Sequence, residues 1–281
     1  MKDNSIAILL ATYNGEKYIK EQLDSIIHQT NQDWHLYVHD DGSTDGTVGI
    51  LDSYASSHPD KITILDYPPM GGPCKNFLSM VEKVEAPYYM FCDQDDVWLP
   101  EKIEKTFHVM QQAEASHAPL IPILIHTDLR VVDEDKNTIS PSFWNYSRIY
   151  PQWFKKYIDY ATLNPVTDCT MLFNAKAKEI IKRPYDVATM HDAWITFSVA
   201  AADGIIIGLE EAMILYRQHG NNTLGAKDAN KLTLSYKIRN LLAIIKHKRA
   251  RFREFNTIRP VTIREYMVSK RAYKKMLSNK N

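Results

Sequence analysis

In the first hundred residues short apolar runs alternate with amphipathic stretches, and this alternation restricts the fold more than any other feature. The runs are Ile6–Ala11, Trp34–His39, Ile62–Leu65 and Tyr88–Cys92. A run as short as Ile6–Ala11 suits a strand covered on both faces, and Trp34–His39 alternates as a strand does. Between them, from about Glu16 to Gln29, Ile19, Leu23, Ile26 and Ile27 recur at helical spacing. Thr44 or Asp45 can cap a second helix through Tyr54, Asn76–Val84 reads as a third, and Pro100-Glu101-Lys102 opens a fourth. Strands alternating with helices imply an α/β domain with a mostly parallel sheet flanked by helices. Such sheets bind ligands beyond the carboxyl ends of their strands. Three polar clusters stand at those ends: Thr12-Tyr13-Asn14, Asp40-Asp41 and Asp93-Gln94-Asp95-Asp96.

Further along, Ile121–His126 reads as a strand, 170–183 as a strand then a helix, and Ala193–Ala202 as a helix. Ile205–Gly208 and Met213–Tyr216 read as two strands. Residues 141–165 are rich in Trp, Tyr and Phe and broken by prolines, which suggests a substrate-facing lid or a partner surface. Leu232–Phe255 is a basic helix with apolar residues interleaved. The net charge of zero hides an asymmetry: from Lys227 onward there are 16 Lys and Arg against three acids, Asp228, Glu254 and Glu265. An acidic catalytic domain, 1–226, is therefore expected to carry a basic helical extension, 227–281. That extension can lie on anionic lipid as a peripheral contact, or pack on the core. It lacks a nucleic-acid reading module.

Cys74, Cys92 and Cys169 form neither an even set nor a C-x-x-C pair, so a reducing, cytoplasmic setting is expected. No apolar run has the length of a signal-peptide core or a membrane span.

The acidic cluster suits a hard divalent cation, Mn²⁺ or Mg²⁺, which takes carboxylates together with substrate phosphates. A solvated acidic turn, with Asp96 capping the next helix, is the bland alternative. The eight residues Asp40–Thr47 combine a glycine turn with a carboxylate that can accept a pyrimidine N–H; helix capping by Ser43, Thr44 and Asp45 is the alternative there.

These motifs, with Gln29-Thr30, His191-Asp192-Ala193-Trp194 and Tyr216–Asn222, stand in the order found in the family 2 inverting glycosyltransferases. The chain resembles that family over about residues 4–225, and Phe91–Trp98 is most similar to its rhamnosyltransferase-like branch, which builds bacterial surface polysaccharides. The resemblance implies a GT-A (Rossmann-like) fold and a nucleotide-sugar donor, dTDP-rhamnose or a UDP-sugar. The acceptor would be a hydroxyl of a growing polysaccharide or a lipid-linked oligosaccharide. Thr12, Tyr13 and Asn14 would line the nucleotide pocket, with Asp41 contacting the base. Lys75 and Asn76 would approach the ribose or diphosphate, although Lys75 stands where many relatives carry Arg. Asp93 would contact the ribose or the metal, and Asp95 would be the main metal ligand. His219 would be a further metal ligand or phosphate contact, unless it only braces a turn. Asp192 would be the general base, unless it only caps the helix it precedes; His191 reads as structural.

Two other classes compete. Asp93-x-Asp95-x-Val97 also resembles the nucleophile motif of haloacid-dehalogenase-type phosphatases, which leaves Asp40–Thr47 unexplained. A non-catalytic sugar-nucleotide-binding protein is the other, against which intact Asp41, Asp95 and Asp192 argue.

Overall fold

A computed structural model describes residues 5–117, 120–181, 187–220 and 241–279. Its first part repeats strand and helix: β1 (Ile6–Thr12), α1 (Ile19–Ile27), β2 (Trp34–Asp40), α2 (Thr47–Ser57), β3 (Ile62–Ile64), α3 (Pro73–Lys83) and β4 (Tyr88–Cys92). There follow β5 (Val97–Trp98), α4 (Lys102–Ser116), β6 (Ile123–Val132), β7 (Thr138–Ser140), α5 (Phe143–Ser147), α6 (Tyr157–Thr162), β8 (Leu172–Asn174), α7 (Ala175–Ile180), α8 (His191–Ala201) and β9 (Ile205–Arg217). Two C-terminal helices complete it, α9 (Leu241–Ile258) and α10 (Ile263–Ser278).

The sheet order is β3-β2-β1-β4-β8-β6-β9-β5, with β7 beside β6. The half formed by β3, β2, β1 and β4 is parallel, as the alternation requires. Beyond it the sheet is mixed, because β8 enters antiparallel between β4 and β6. The pattern of β1 explains the layering. Every residue from Ile6 to Leu10 is fully buried, and alternate side chains point to opposite faces. Ile6, Ile8 and Leu10 meet α1 and α4; Ala7 and Leu9 meet Phe77 and Val81 of α3 and Trp194 of α8.

Several expectations shift. The first helix begins at Ile19, because Gly15–Tyr18 form a turn closed by Tyr18 N–H to Gly15 O at 3.0 Å. The second begins at Thr47 with Gly46 in the cap position, and the Asp45 carboxylate, one residue further back, accepts the Thr47 N–H at 3.0 Å. The two strands expected at 205–216 are one, β9. Thr127 pairs Leu209 while Asp128 pairs Ala212, so Glu210 and Glu211 form a bulge that interrupts the apolar pattern without ending the strand.

The aromatic segment is shared between the core and the cavity. Trp144, Phe154 and Tyr160 are buried, and the last two pack with Phe197 of α8 and with Phe255, Val261 and Tyr273 of the C-terminal region. Only Phe143, Ser147, Ile149, Leu163 and Asn164 of this segment line the cavity described below. The basic helix begins, among the described residues, at Leu241 and packs inward through Phe255 and the fully buried Glu254. Lys237, Arg239, Asn221, Asn222 and the 226/227 boundary lie outside the described residues. No helix among the described residues is long and apolar enough to cross a membrane.

Candidate active site

A cavity of about 1220 Å³ opens at the carboxyl ends of β1, β2 and β4, where the three polar clusters converge. Its lining includes Thr12, Tyr13, Asn14, Asp41, Asn76, Asp93, Asp95, Asp192 and His219. Of the residues singled out in the sequence, Lys75 stays apart: it is exposed on α3 and does not line the cavity.

On the first side, loops lock one another through their main chains. Thr12 Oγ1 donates to Asp40 Oδ1 at 2.8 Å, and Ser43 N–H donates to Asp40 Oδ2 at 2.7 Å, so Asp40 shapes its own turn. Asn14 takes a left-handed φ of 48°, tolerable for Asn, and its Oδ1 accepts the Thr44 N–H at 2.8 Å. Gln94, not anticipated as a site residue, grips Tyr13 like a strand partner: Oε1 accepts its N–H at 2.9 Å and Nε2 donates to its carbonyl at 3.0 Å. A Cβ on Gly15 would come within 2.3 Å of Gln94 Oε1, so this approach requires glycine.

Asp41 is held by a different device. Its Oδ1 accepts the N–H groups of Met70 and Gly71, and its Oδ2 accepts that of Gly72 at 2.6 Å. Gly72, at φ 129°, supplies a backbone shape that other residues rarely take. A carboxylate accepts about four hydrogen bonds, so one direction remains for a base N–H. Asn76 lines the floor but is committed to His39, with Oδ1 2.7 Å from Nδ1 and Nδ2 donating to the carbonyl at 3.2 Å.

The acidic turn after β4 is stapled by Arg217 at the end of β9. Its Nε donates to Asp95 O at 2.9 Å, and its guanidinium also reaches Glu134 O and Glu21. Its backbone N–H donates to Asp96 Oδ1 at 3.1 Å. Asp96 is fully buried, so it anchors the turn; Glu101 is the cap of α4. Below it, Lys102 is fully buried with its ammonium 3.6 Å from the Trp98 ring, and burial pushes it down to about 8.

Asp95 and His219 meet, Oδ2 to Nε2 at 2.8 Å. Asp93 faces Asp168, an acid that no sequence motif singles out. Burial, then Asp168, Asp96 and Asp95, hold the Asp93 carboxyl well above its ordinary range. Among the described residues Asp93, Asp168 and Cys169 bring three ligand atoms within 4.8 Å of one another. Burial pushes the Cys169 thiol up, which keeps it protonated and leaves the carboxylates as the better ligands. Carboxylates crowded in this way, with one imidazole at hand, fit a Mn²⁺ or Mg²⁺ ion, whose charge would relieve the repulsion.

Asp192 stands across the cavity in the first turn of α8. Its Oδ2 accepts from Asn164 Nδ2 at 2.9 Å, and its Oδ1 accepts the Ala193 N–H at 2.6 Å. Burial, then the charge of Asp168, push it up to about 6, against the opposing pull of His191. His191 is buried with Nε2 2.8 Å from Asp168 Oδ2, an ion pair without hydrogen-bond alignment. Burial opposes its charge, but Asp168 prevails and raises it to about 10. Glu254 of α9 accepts from Thr189 just ahead of this pair, and burial raises it to about 7.

The family model for Glycosyl transferase family 2 matches residues 7–179. The chain is 30% identical over 238 residues to the dTDP-rhamnosyl transferase RfbG of Shigella flexneri, covering 77% of this chain and 74% of the relative. Among solved structures, S. aureus TarS 1-349 in complex with UDP-GlcNAc is similar with a TM-score of 0.54 at 18% identity, over 89% of this chain and 70% of that one. Against a longer TarS chain the match spans 42% of that chain. The mannosyltransferase PcManGT from Pyrobaculum calidifontis, in complex with GDP-Man and Mn2+, gives a TM-score of 0.57 at 18% identity, over 86% of this chain and 62% of that one. At such identities the structural likeness establishes the GT-A fold alone. The family match over more than half the chain, the RfbG identity and the convergence of the strand-end clusters together place this chain in glycosyl transferase family 2, as a glycosyltransferase.

Proposed function

We propose that this glycosyltransferase moves a sugar, with inversion, from a nucleotide-sugar donor to a hydroxyl of a growing bacterial surface polysaccharide or lipid-linked oligosaccharide. dTDP-rhamnose is the leading donor and a UDP-sugar the second. The rhamnosyl reading draws on the Shigella relative. The observation that carries the proposal is one cavity lined both by the cradled carboxylate of Asp41 and by a carboxylate raised to about 6, Asp192.

In this reading Asp41 takes the base N–H, and Thr12, Tyr13 and Asn14 line the nucleotide. Asp95 and His219 would hold Mn²⁺ or Mg²⁺, with Asp93 beside them. A bound divalent ion supplies Lewis-acid stabilisation of the departing diphosphate. Asp192 takes the proton from the acceptor hydroxyl as it attacks. Its raised affinity for protons makes it a stronger base than an ordinary carboxylate, while it remains ionised at neutral pH. Asn164 and the Ala193 N–H fix its orientation. Residues 1–226 form the catalytic unit and 227–281 the extension, working in the cytoplasm or at the inner face of the membrane. The phosphatase and non-catalytic alternatives fall with the family assignment.

The test is a donor screen by thermal shift. dTDP-rhamnose with Mn²⁺ is expected to raise Tm, as any ligand that binds only the folded state does. Chelation is expected to lower transfer by about 100-fold, with recovery on adding Mn²⁺. No shift with any dTDP- or UDP-sugar would sink the donor assignment, and transfer indifferent to chelation would sink the metal.

A further inference from the structure

We infer that the outward face of α10 docks on an anionic lipid surface. Among the described residues seven large apolar side chains are well exposed, and three of them, Ile263, Met267 and Val268, lie on this one helix. Ile263 is 71% exposed and Val268 59%. Arg264, Arg271, Lys274 and Lys275 are exposed beside them. At about 100° per residue these seven side chains fall within an arc of roughly 140°.

The opposite face is fixed in the fold. Tyr266, Tyr273, Met276 and Leu277 join the cluster around Phe197 and Phe255. Ser269 Oγ donates to Asp159 Oδ1 at 2.8 Å, and Tyr273 OH donates to Arg148 O at 2.8 Å. The outward arc is therefore a surface held in place, not a helix turning freely. Over Ile263–Ser278 there are five Lys and Arg against one acid, and that acid, Glu265, is occupied in a capping box with Thr262. Single exposed apolar residues are ordinary; three among four cations on one arc are not.

A bilayer with anionic headgroups answers both halves of this composition. The apolar side chains enter the boundary between headgroups and acyl chains while the cations meet lipid phosphate. A nucleic acid would answer the cations and leave Ile263, Met267 and Val268 in water. A second copy across a two-fold axis would set cation against cation. The helix packs on α6, and Leu163 and Asn164, which follow α6 directly, line the cavity beside Asp192. Docking would thus hold the acceptor side of the cavity near the lipid. That purpose rests on the lipid-linked acceptor of the proposed function; docking itself does not.

The experiment is flotation of the full chain with vesicles of phosphatidylcholine alone, or with about one-third phosphatidylglycerol. The protein is expected to float with the anionic vesicles only and to be released as salt approaches about 1 M. Arg271→Glu with Lys274→Glu is expected to lower partitioning at least ~30-fold. Val268→Ser with Met267→Ser should weaken it by about tenfold without changing charge. All four side chains are exposed, so the variants should keep the wild-type Tm. The lipid and salt comparisons on the wild type need no variant, and flotation reads docking without any transfer. Equal partitioning to neutral vesicles, or none to either, overturns the proposal. So does a dimer that Val268→Ser dissociates, or tighter binding to a single-stranded nucleic acid that ignores Val268→Ser.

Discussion

On one side of the cavity, Thr12–Gly15, Asp40–Thr47 and Asp93–Asp96 hang from the ends of strands and lock one another through main-chain hydrogen bonds. On the other side, Asn164, Asp168 and Asp192 sit on short turns and at a helix start, and ionisable groups face one another in partly buried surroundings. The first side gains rigidity from geometry: Gln94 clamps Tyr13, and three N–H groups fix Asp41. The second is set by burial and charge: burial, then the charge of Asp168, raise Asp192 to about 6, while Asp168 outweighs burial and raises His191 to about 10. A transferase needs both, a donor held still and a base tuned to the working pH. The C-terminal helices belong to the second side, because Glu254 and Phe255 reach the segment that carries Asp192.

The strongest way to break this contrast is Asp192→Asn. It removes the proposed proton acceptor and leaves the cradle around Asp41 intact, so kcat should fall by on the order of 10²–10⁴ while donor KM stays within about twofold. A loss appearing mainly in donor KM would erase the distinction between the sides. Next comes Phe255→Ala, which empties a fully packed site shared with Phe197 and should cost about 3–5 kcal/mol in denaturant unfolding. A cost below ~1 kcal/mol would make the extension an appendage. Asp41→Asn sharpens the contrast from the donor side. Its amide N–H₂ would face N–H groups, so donor affinity should weaken by about 1.5–3 kcal/mol with kcat at saturating donor preserved. The smallest effect is expected from Asn164→Ala, about 1 kcal/mol, read as a few-fold loss in kcat. Because Asn164 donates to the ionised carboxylate, its removal should also move the acid limb of the rate profile upward.

The two sides also differ in how readable they were. The strand-end side is partly legible in sequence, because short contiguous motifs shape their own turns: Asp40 bonds to Ser43, and Asp45 to Thr47. The clamps from Gln94 to Tyr13 and from residues 70–72 to Asp41 join distant segments and were not legible there. Short apolar runs and the alternation of elements placed β1 to β4 within a residue or two. The mixed half of the sheet was harder, since Glu210 and Glu211 read as a strand end when they are a bulge. On the acceptor side, Asp192 came only through family resemblance. Asp168 gave no signal, because its role depends on His191 and Asp93 meeting it from elsewhere in the chain. Glu254 likewise gains its meaning from Thr189, and Lys102 from burial against Trp98. The aromatic segment divides in a way its sequence could not show: Phe143 and Ile149 line the cavity, while Phe154 and Tyr160 are buried by helices far along the chain.

The central claim, that Asp192 is the tuned base of this cavity, is tested most directly by the pH dependence of kcat in the wild type and in Asp192→Asn. A base must be ionised, and burial with the charge of Asp168 sets this one at about 6. The wild-type rate should therefore rise as pH passes upward through about 6 and then level off, and the residual Asp192→Asn rate should be low and flat across that range. An Asp192→Asn enzyme that matches the wild type in rate, or keeps the same acid limb, would contradict the account.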